Sequence, residues 1–130
     1  MLIDTHIFLW SQTKTGNLSA SEIRKIEEAY QNRELCLSSI SIWELALKAS
    51  AKGLEFHPPF NIWVKKALRG IKIINVDVDI ALENINLPEY EYKDPADRFI
   101  IATSRVHDIP LMTHDQKILA YAKKGHVRLA

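Results

Sequence analysis

Four carboxylates stand at the edges of short apolar runs. Asp4 follows Met1, Leu2 and Ile3, Glu44 follows the run Leu35 to Ile40 by one turn, Asp97 precedes Arg98, Phe99, Ile100 and Ile101, and Asp115 comes shortly after Pro110 to Thr113. An acid run directly into an apolar helix contributes nothing to a core. Asp97 is therefore expected where buried helix meets a solvent-filled cleft. A fifth acid, Asp94, precedes Pro95 and reads first as a helix N-cap, because an Asp cap accepts a backbone N–H and Pro at the first helical position forfeits no needed donor. By the same logic Asp97 is also an acid in the first turn, favoured by the helix dipole, and Asp115 a cap of the segment after it. Structural and chemical roles both stay open for each.

If Asp4, Glu44, Asp97 and Asp115 converge, their repulsion must raise their pKa values or draw in a cation. Hard cations take oxygen ligands, and Mg²⁺ keeps waters for use on phosphates, so Mg²⁺ or Mn²⁺ is the expected occupant. No cluster of cysteine and histidine points to zinc. Such a site suits phosphodiester hydrolysis, since metal ions lower the pKa of an attacking water and stabilise charge on the leaving oxygen.

The elements that must position these acids alternate along the chain. Met1 to Ile3, Leu35 to Ile40, Ile71 to Val76 and Pro110 to Thr113 read as buried strands, and Val127 to Leu129 as a last edge strand. Between them lie helical patterns. Ser19 and Glu22 form a capping box ahead of Ile23, Ile26 and Tyr30, giving a plain surface helix. Ser41 and Glu44 fit a second box, with Ile40 and Leu45 as a hydrophobic staple and Gly53 as the stop. Further helices are expected from Phe60 to Gly70, from Ile80 to Leu87, from Asp94 to about His107, and from Gln116 to Lys123. Connections this long exclude hairpins and predict an α/β fold, a mostly parallel sheet with helices on both faces. In such a sheet ligands bind beyond the carboxyl ends of the strands, where the four acids fall.

At 130 residues the chain is read as one domain, residues 1–130. It is 47% hydrophobic and 25% charged with a net charge of +1, which excludes disorder by composition and gives no overall basic signature for nucleic acid. A local basic face is possible, since Lys48, Lys52, Lys65, Lys66, Arg69 and Lys72 meet only Glu55 among nearby acids. The single cysteine, Cys36, cannot form an internal disulfide and is expected to pack in a reducing compartment. With no basic leader and no long apolar run, the protein is expected in the cytoplasm and not in a membrane.

Four motifs taken together carry a resemblance: Leu2 to His6 with Trp10, Ser39 to Ala46, Asp94 to Ala102, and Pro110 to Asp115. In order and spacing they resemble the PIN-domain family, in particular its VapC-like toxins of toxin–antitoxin pairs, across essentially the whole chain. The resemblance implies a three-layer α/β/α sandwich and a Mg²⁺- or Mn²⁺-dependent ribonuclease, commonly a homodimer, acting on RNA and inhibited by a cognate antitoxin. It places Asp4, Glu44, Asp97 and Asp115 on the family's acidic positions, as catalytic residues and metal ligands. Asp94 matches a common position that is less clearly catalytic, either behind the ligands or a helix cap. His114 falls where the family varies.

Two other classes remain. One is a metal-dependent α/β phosphotransfer or signalling domain using a first-strand aspartate, although a haloacid-dehalogenase-like site would want Asp where His6 stands. The other is a catalytically silent PIN-like module acting by protein binding, which the retention of all four acids opposes.

Overall fold

The computed structural model describes residues 1–53 and 55–130. Strand β1 (Leu2–Ile3) leads into α1 (Thr5–Thr13) and α2 (Ala20–Gln31), and β2 (Cys36–Ser38) leads into α3 (Ser39–Ala51) and α4 (Phe60–Ala67). Then come β3 (Lys72–Ile74), α5 (Val78–Ile85), α6 (Pro95–His107), β4 (Leu111–Met112) and α7 (Gln116–Lys123). The sheet order is β3-β2-β1-β4 and every pairing is parallel. This is the expected α/β class, with the sheet parallel throughout.

The strands are short, and their side chains divide between the two faces by parity. Leu2, Cys36 and Leu111 sit in register across the sheet and enter one core with Ile80, Ile100 and Ile118. Ile3, Leu37 and Met112 form the next row and enter the other core with Phe8, Ile26 and Leu45. Helices from α5 onward cover the first face, and α1 to α4 supply most of the second. A one-residue slip would exchange the two sets, so burial on both faces fixes the register. Aligned parallel strands also bring all their carboxyl ends to one edge. The chain steps from β1 to β2 to β3 in one direction and then returns to place β4 on the other side of β1, leaving a topological switch point between β1 and β4.

Two expectations need correction, and one helix lies where none was expected. The segment after Asp4 is the helix α1, whose consecutive apolar residues Ile7 to Trp10 hide the helical period. Helix α3 begins at Ser39 with Ser38 as its N-cap, Ser38 Oγ accepting from Ile40 N at 3.2 Å. Ser41 is therefore not a cap and Glu44 not its box partner, and Ile40 lies inside the helix. The reason is tertiary: Ser41 Oγ is buried and accepts a hydrogen bond from Thr5 Oγ1 at 2.9 Å, fastening α3 to α1. Finally, the expected strand Val127 to Leu129 is reduced to a single parallel bridge between Leu129 and Leu111. The other capping expectations hold. Ser19 and Glu22 form a full box, and Asp94 and Asp115 cap α6 and α7. Among the described residues no helix is long and apolar enough to cross a membrane.

Candidate active site

Asp4, Glu44, Asp94, Asp97 and Asp115 line one pocket of about 190 Å³ at the carboxyl edge of the sheet, together with Thr5, His6, Lys48, Ile100 and Lys117. The acids arrive on four elements, Asp94 and Asp97 together at the start of α6. Asp4 is the residue between β1 and α1, and its Oδ1 accepts from Ile7 N at 2.9 Å. Its Oδ2 accepts from Thr113 Oγ1, across the switch point at the end of β4. Thr113 in turn accepts from Asp115 N at 3.0 Å, so one hydroxyl ties the β1 and β4 acids together. Asp115 caps α7, its Oδ1 accepting from Lys117 N and Ile118 N at 2.9 and 3.1 Å. Asp115 Oδ2 makes no hydrogen bond among the described residues.

Glu44 lies one turn deeper in α3 than a box residue would, and its Oε2 is 4.0 Å from Lys48 Nζ. Asp94 Oδ1 accepts from Asp97 N at 3.1 Å, satisfying one orphan N–H of α6. Asp97 itself stands apart. Its carboxylate enters no hydrogen bond or ion pair among the described residues.

The electrostatics follow from this crowding. Burial pushes the Asp97 carboxyl up to about 7, with further upward pressure from Asp94, Asp115 and Glu44. Burial also raises Asp4, against the hydrogen bonds from Ile7 N and Thr113 Oγ1 that favour its ionised form. The Tyr90 phenol, whose buried Oη has no partner among the described residues, is held well above its ordinary value by burial and by Asp97, Asp115 and Asp94. Ionising Asp97 near neutrality therefore calls for a compensating positive charge.

The donor set suits a hard divalent cation: every carboxylate offers oxygen, and the pocket is of a size for an ion with some of its water. The acids are not already drawn together, for among the described residues no three His, Cys, Asp or Glu side chains are grouped to hold a metal ion. Mutual repulsion and the caps account for the spread. Asp4 has both oxygens engaged, and Asp94 and Asp115 one each, while Asp97 and Glu44 have the latitude to turn inward.

Sequence reasoning assigned no chemistry to four lining or supporting residues. His6 reads as structural, yet its Nε2 lies 3.2 Å from Lys48 Nζ inside the same pocket. Lys117 lines the opposite wall, its Nζ 5.2 Å from the Tyr92 ring centroid. Thr113 is the bridge between two acids, for which a hydroxyl two residues before Asp115 was the available signal. His114 pairs through Nε2 with Glu22 Oε1 at 2.7 Å and packs against Trp10. The α2 capping box thus also anchors the loop that carries Asp115. Gly16 makes room for Trp10, since a Cβ there would stand 2.3 Å from the indole.

Residues 1–124 match the family model of the PIN domain. The chain is 28% identical over 121 residues to Ribonuclease VapC22 of Mycobacterium tuberculosis (strain ATCC 25618 / H37Rv), covering 93% of this chain and 91% of that protein. Among solved structures, it is similar to a toxin-antitoxin complex from Klebsiella pneumoniae, with TM-score 0.62, 26% identity, and coverage of 92% of this chain and 89% of that one. A likeness of fold alone extends to FitAcB from Neisseria gonorrhoeae, with TM-score 0.70, 19% identity, and coverage of 98% and 94%.

Proposed function

We propose, from the premise that the chain belongs to the PIN domain family, that it is a Mg²⁺- or Mn²⁺-dependent ribonuclease and the toxin of a toxin–antitoxin pair. The observation that carries this reading is the shared pocket of Asp4, Glu44, Asp97 and Asp115 at the sheet edge, with the Asp97 carboxylate unpaired among the described residues. Similarity to a protein named a ribonuclease and to a structure described as a toxin-antitoxin complex supports the same class.

In this mechanism Asp4, Glu44, Asp97 and Asp115 would hold the cation. When bound, the ion would supply an activated water and charge stabilisation on the phosphate. The chain's own contribution is to place the acids. Thr113 fixes the Asp4 carboxylate and, through the Asp115 backbone, the start of α7. Asp94 caps α6 so that Asp97 enters the pocket from the helix's first turn. Burial and the neighbouring acids raise the Asp97 carboxyl, so a positive charge in the pocket favours its ionised form.

The test is cleavage of single-stranded and structured RNA in Mg²⁺ or Mn²⁺ and again in chelator. Cleavage only with the metal is expected; equal rates in both, with contaminating nuclease excluded, would overturn the metal mechanism. Expression of the protein alone should arrest growth, and a small co-encoded antitoxin should relieve it. Normal growth at high levels of folded protein would contradict the toxin reading. In this reading the enzyme works in the cytoplasm as a homodimer of single-domain chains, a state that light scattering on the purified protein checks.

The alternative is a catalytically silent PIN-like module acting by protein binding, which the shared pocket of four acids opposes. Metal titration separates the two, because a silent module would bind no Mn²⁺ in this pocket.

A further inference from the structure

Lys48 makes two contacts, and the weaker one has an ordinary explanation. Its Nζ stands 4.0 Å from Glu44 Oε2, an i,i+4 helix pair of the kind that decorates many surfaces and contributes little. Its Nζ also lies 3.2 Å from His6 Nε2, across 42 residues of sequence. An ammonium group only donates, so in this contact His6 Nε2 is the acceptor. The contact is not needed to join α1 to α3, because the buried Thr5–Ser41 hydrogen bond already fastens that seam. What it does is hold an amine over the acid pocket.

Charge balance says what that amine meets. With all groups ionised, five carboxylates in the pocket face two ammonium groups, Lys48 and Lys117, leaving three negative charges uncompensated. One divalent cation would still leave one. A phosphodiester entering this pocket adds one more negative charge, so it can dock only where an ammonium group already lining the pocket meets it directly. Lys117 is exposed and leans on the Tyr92 ring, 5.2 Å from its centroid, whereas Lys48 is half-buried and held in place by its contact with His6.

We propose that Lys48, aimed by His6, is the substrate-binding residue that takes a non-bridging oxygen of the RNA phosphate at the acid pocket. The inference rests on the ribonuclease reading and adds to it the group that meets the phosphate. Lys48 contacts substrate, and His6 is a positioning residue acting through it.

The experiment measures kcat and KM on a short single-stranded RNA in Mg²⁺ over roughly 50–200 mM KCl, with Mn²⁺ affinity of the same proteins determined calorimetrically without RNA. Lys48→Gln should lower kcat/KM about ten- to hundredfold, the loss of a charge-assisted hydrogen bond. It should also flatten the dependence of log kcat/KM on log salt by about 0.7, the share of one single-strand phosphate contact. Mn²⁺ affinity should be unchanged or higher, since a competing positive charge has left Glu44. Lys48→Arg should keep the wild-type salt slope. His6→Leu removes the acceptor and should lower kcat/KM in the same direction, and His6→Gln, whose amide oxygen accepts, should restore most of it. A wild-type salt slope in Lys48→Gln, or a loss matched by weakened Mn²⁺ binding, would overturn the proposal while leaving the ribonuclease reading intact. Wild-type protein that neither cleaves nor binds RNA would overturn both.

Discussion

Asp97 enters the pocket with a carboxylate that no side chain of the described structure pairs, whereas Asp94 spends an oxygen on the Asp97 backbone N–H. Substitution should separate these roles. Asp97→Asn keeps the shape and removes the charge, so RNA cleavage should fall by orders of magnitude while stability holds or rises. Asp94→Asn should leave stability unchanged, because Asn caps as well as Asp, and Asp94→Ala should cost about 0.5–2 kcal/mol. Cleavage rates and melting temperatures of the three variants make the comparison. Full cleavage by Asp97→Asn with none by Asp94→Asn would reverse the assignment. The raised Asp97 value also sets a pH dependence. A carboxyl whose pKa is 3.8 when unconstrained and about 7 when folded binds more protons in the folded state between those values. Its ionisation therefore lowers stability as pH rises through that window, with the penalty complete above the folded value. In metal-free protein the Asp97 contribution should reduce the melting temperature between pH 5 and about 8, and Asp97→Asn should flatten that decline. A decline of the same steepness in the variant would place its origin in another group.

Helix α6 carries Asp97 and is held in place by the residue beside it. Arg98 Nη1 donates to the carbonyls of Tyr90 and Tyr92, both at 2.9 Å, and Nη2 donates to the carbonyl of Asn84 at 2.6 Å. One guanidinium thus staples the C-terminal part of α5 and the following loop to the first turn of α6. Lysine cannot reproduce that planar fork. Arg98→Lys should cost about 1–3 kcal/mol in denaturant unfolding and increase amide exchange between residues 88 and 94; unchanged protection there would show that the loop is held by its tyrosines instead. The staple was not apparent from sequence, because its acceptors are mainly backbone carbonyls, at the end of α5 and in the irregular segment after it, which carry no residue signature. The elements themselves were largely legible where caps and apolar periods agree, as in α2, α6 and α7. They were misread where one serine had two possible uses. Ser41 before Trp43 and Glu44 looks like a cap, but the Thr5 hydroxyl it meets comes from a distant part of the chain. Helix α1 was hidden for a related reason: packing within the fold, not a spaced apolar stripe, makes Ile7 to Trp10 helical.

At the scale of the whole molecule, two cores on opposite faces of one in-register parallel sheet bring every strand's carboxyl end to the same edge. Alternation of strands and helices made that edge foreseeable, and the acids after β1 and β4 and in the helices α3 and α6 could be placed there before the coordinates were known. Of the cations in the pocket, Lys48 was legible only as part of a possible basic face, and Lys117 not at all, until the fold brings them beside His6 and Tyr92. The same arrangement loads the molecule with repelling charge at its switch point, which a bound divalent ion would relieve. Ligand binding to the folded state alone raises stability with concentration. Direct calorimetric titration of Mn²⁺ into the metal-free protein at a pH above 7, where Asp97 is largely ionised, tests the central claim most directly. The account predicts saturable binding by the wild type that is strongly weakened in Asp97→Asn and in Asp4→Asn, both verified as folded. Absence of binding by the wild type, or binding that survives both substitutions unchanged, would contradict it.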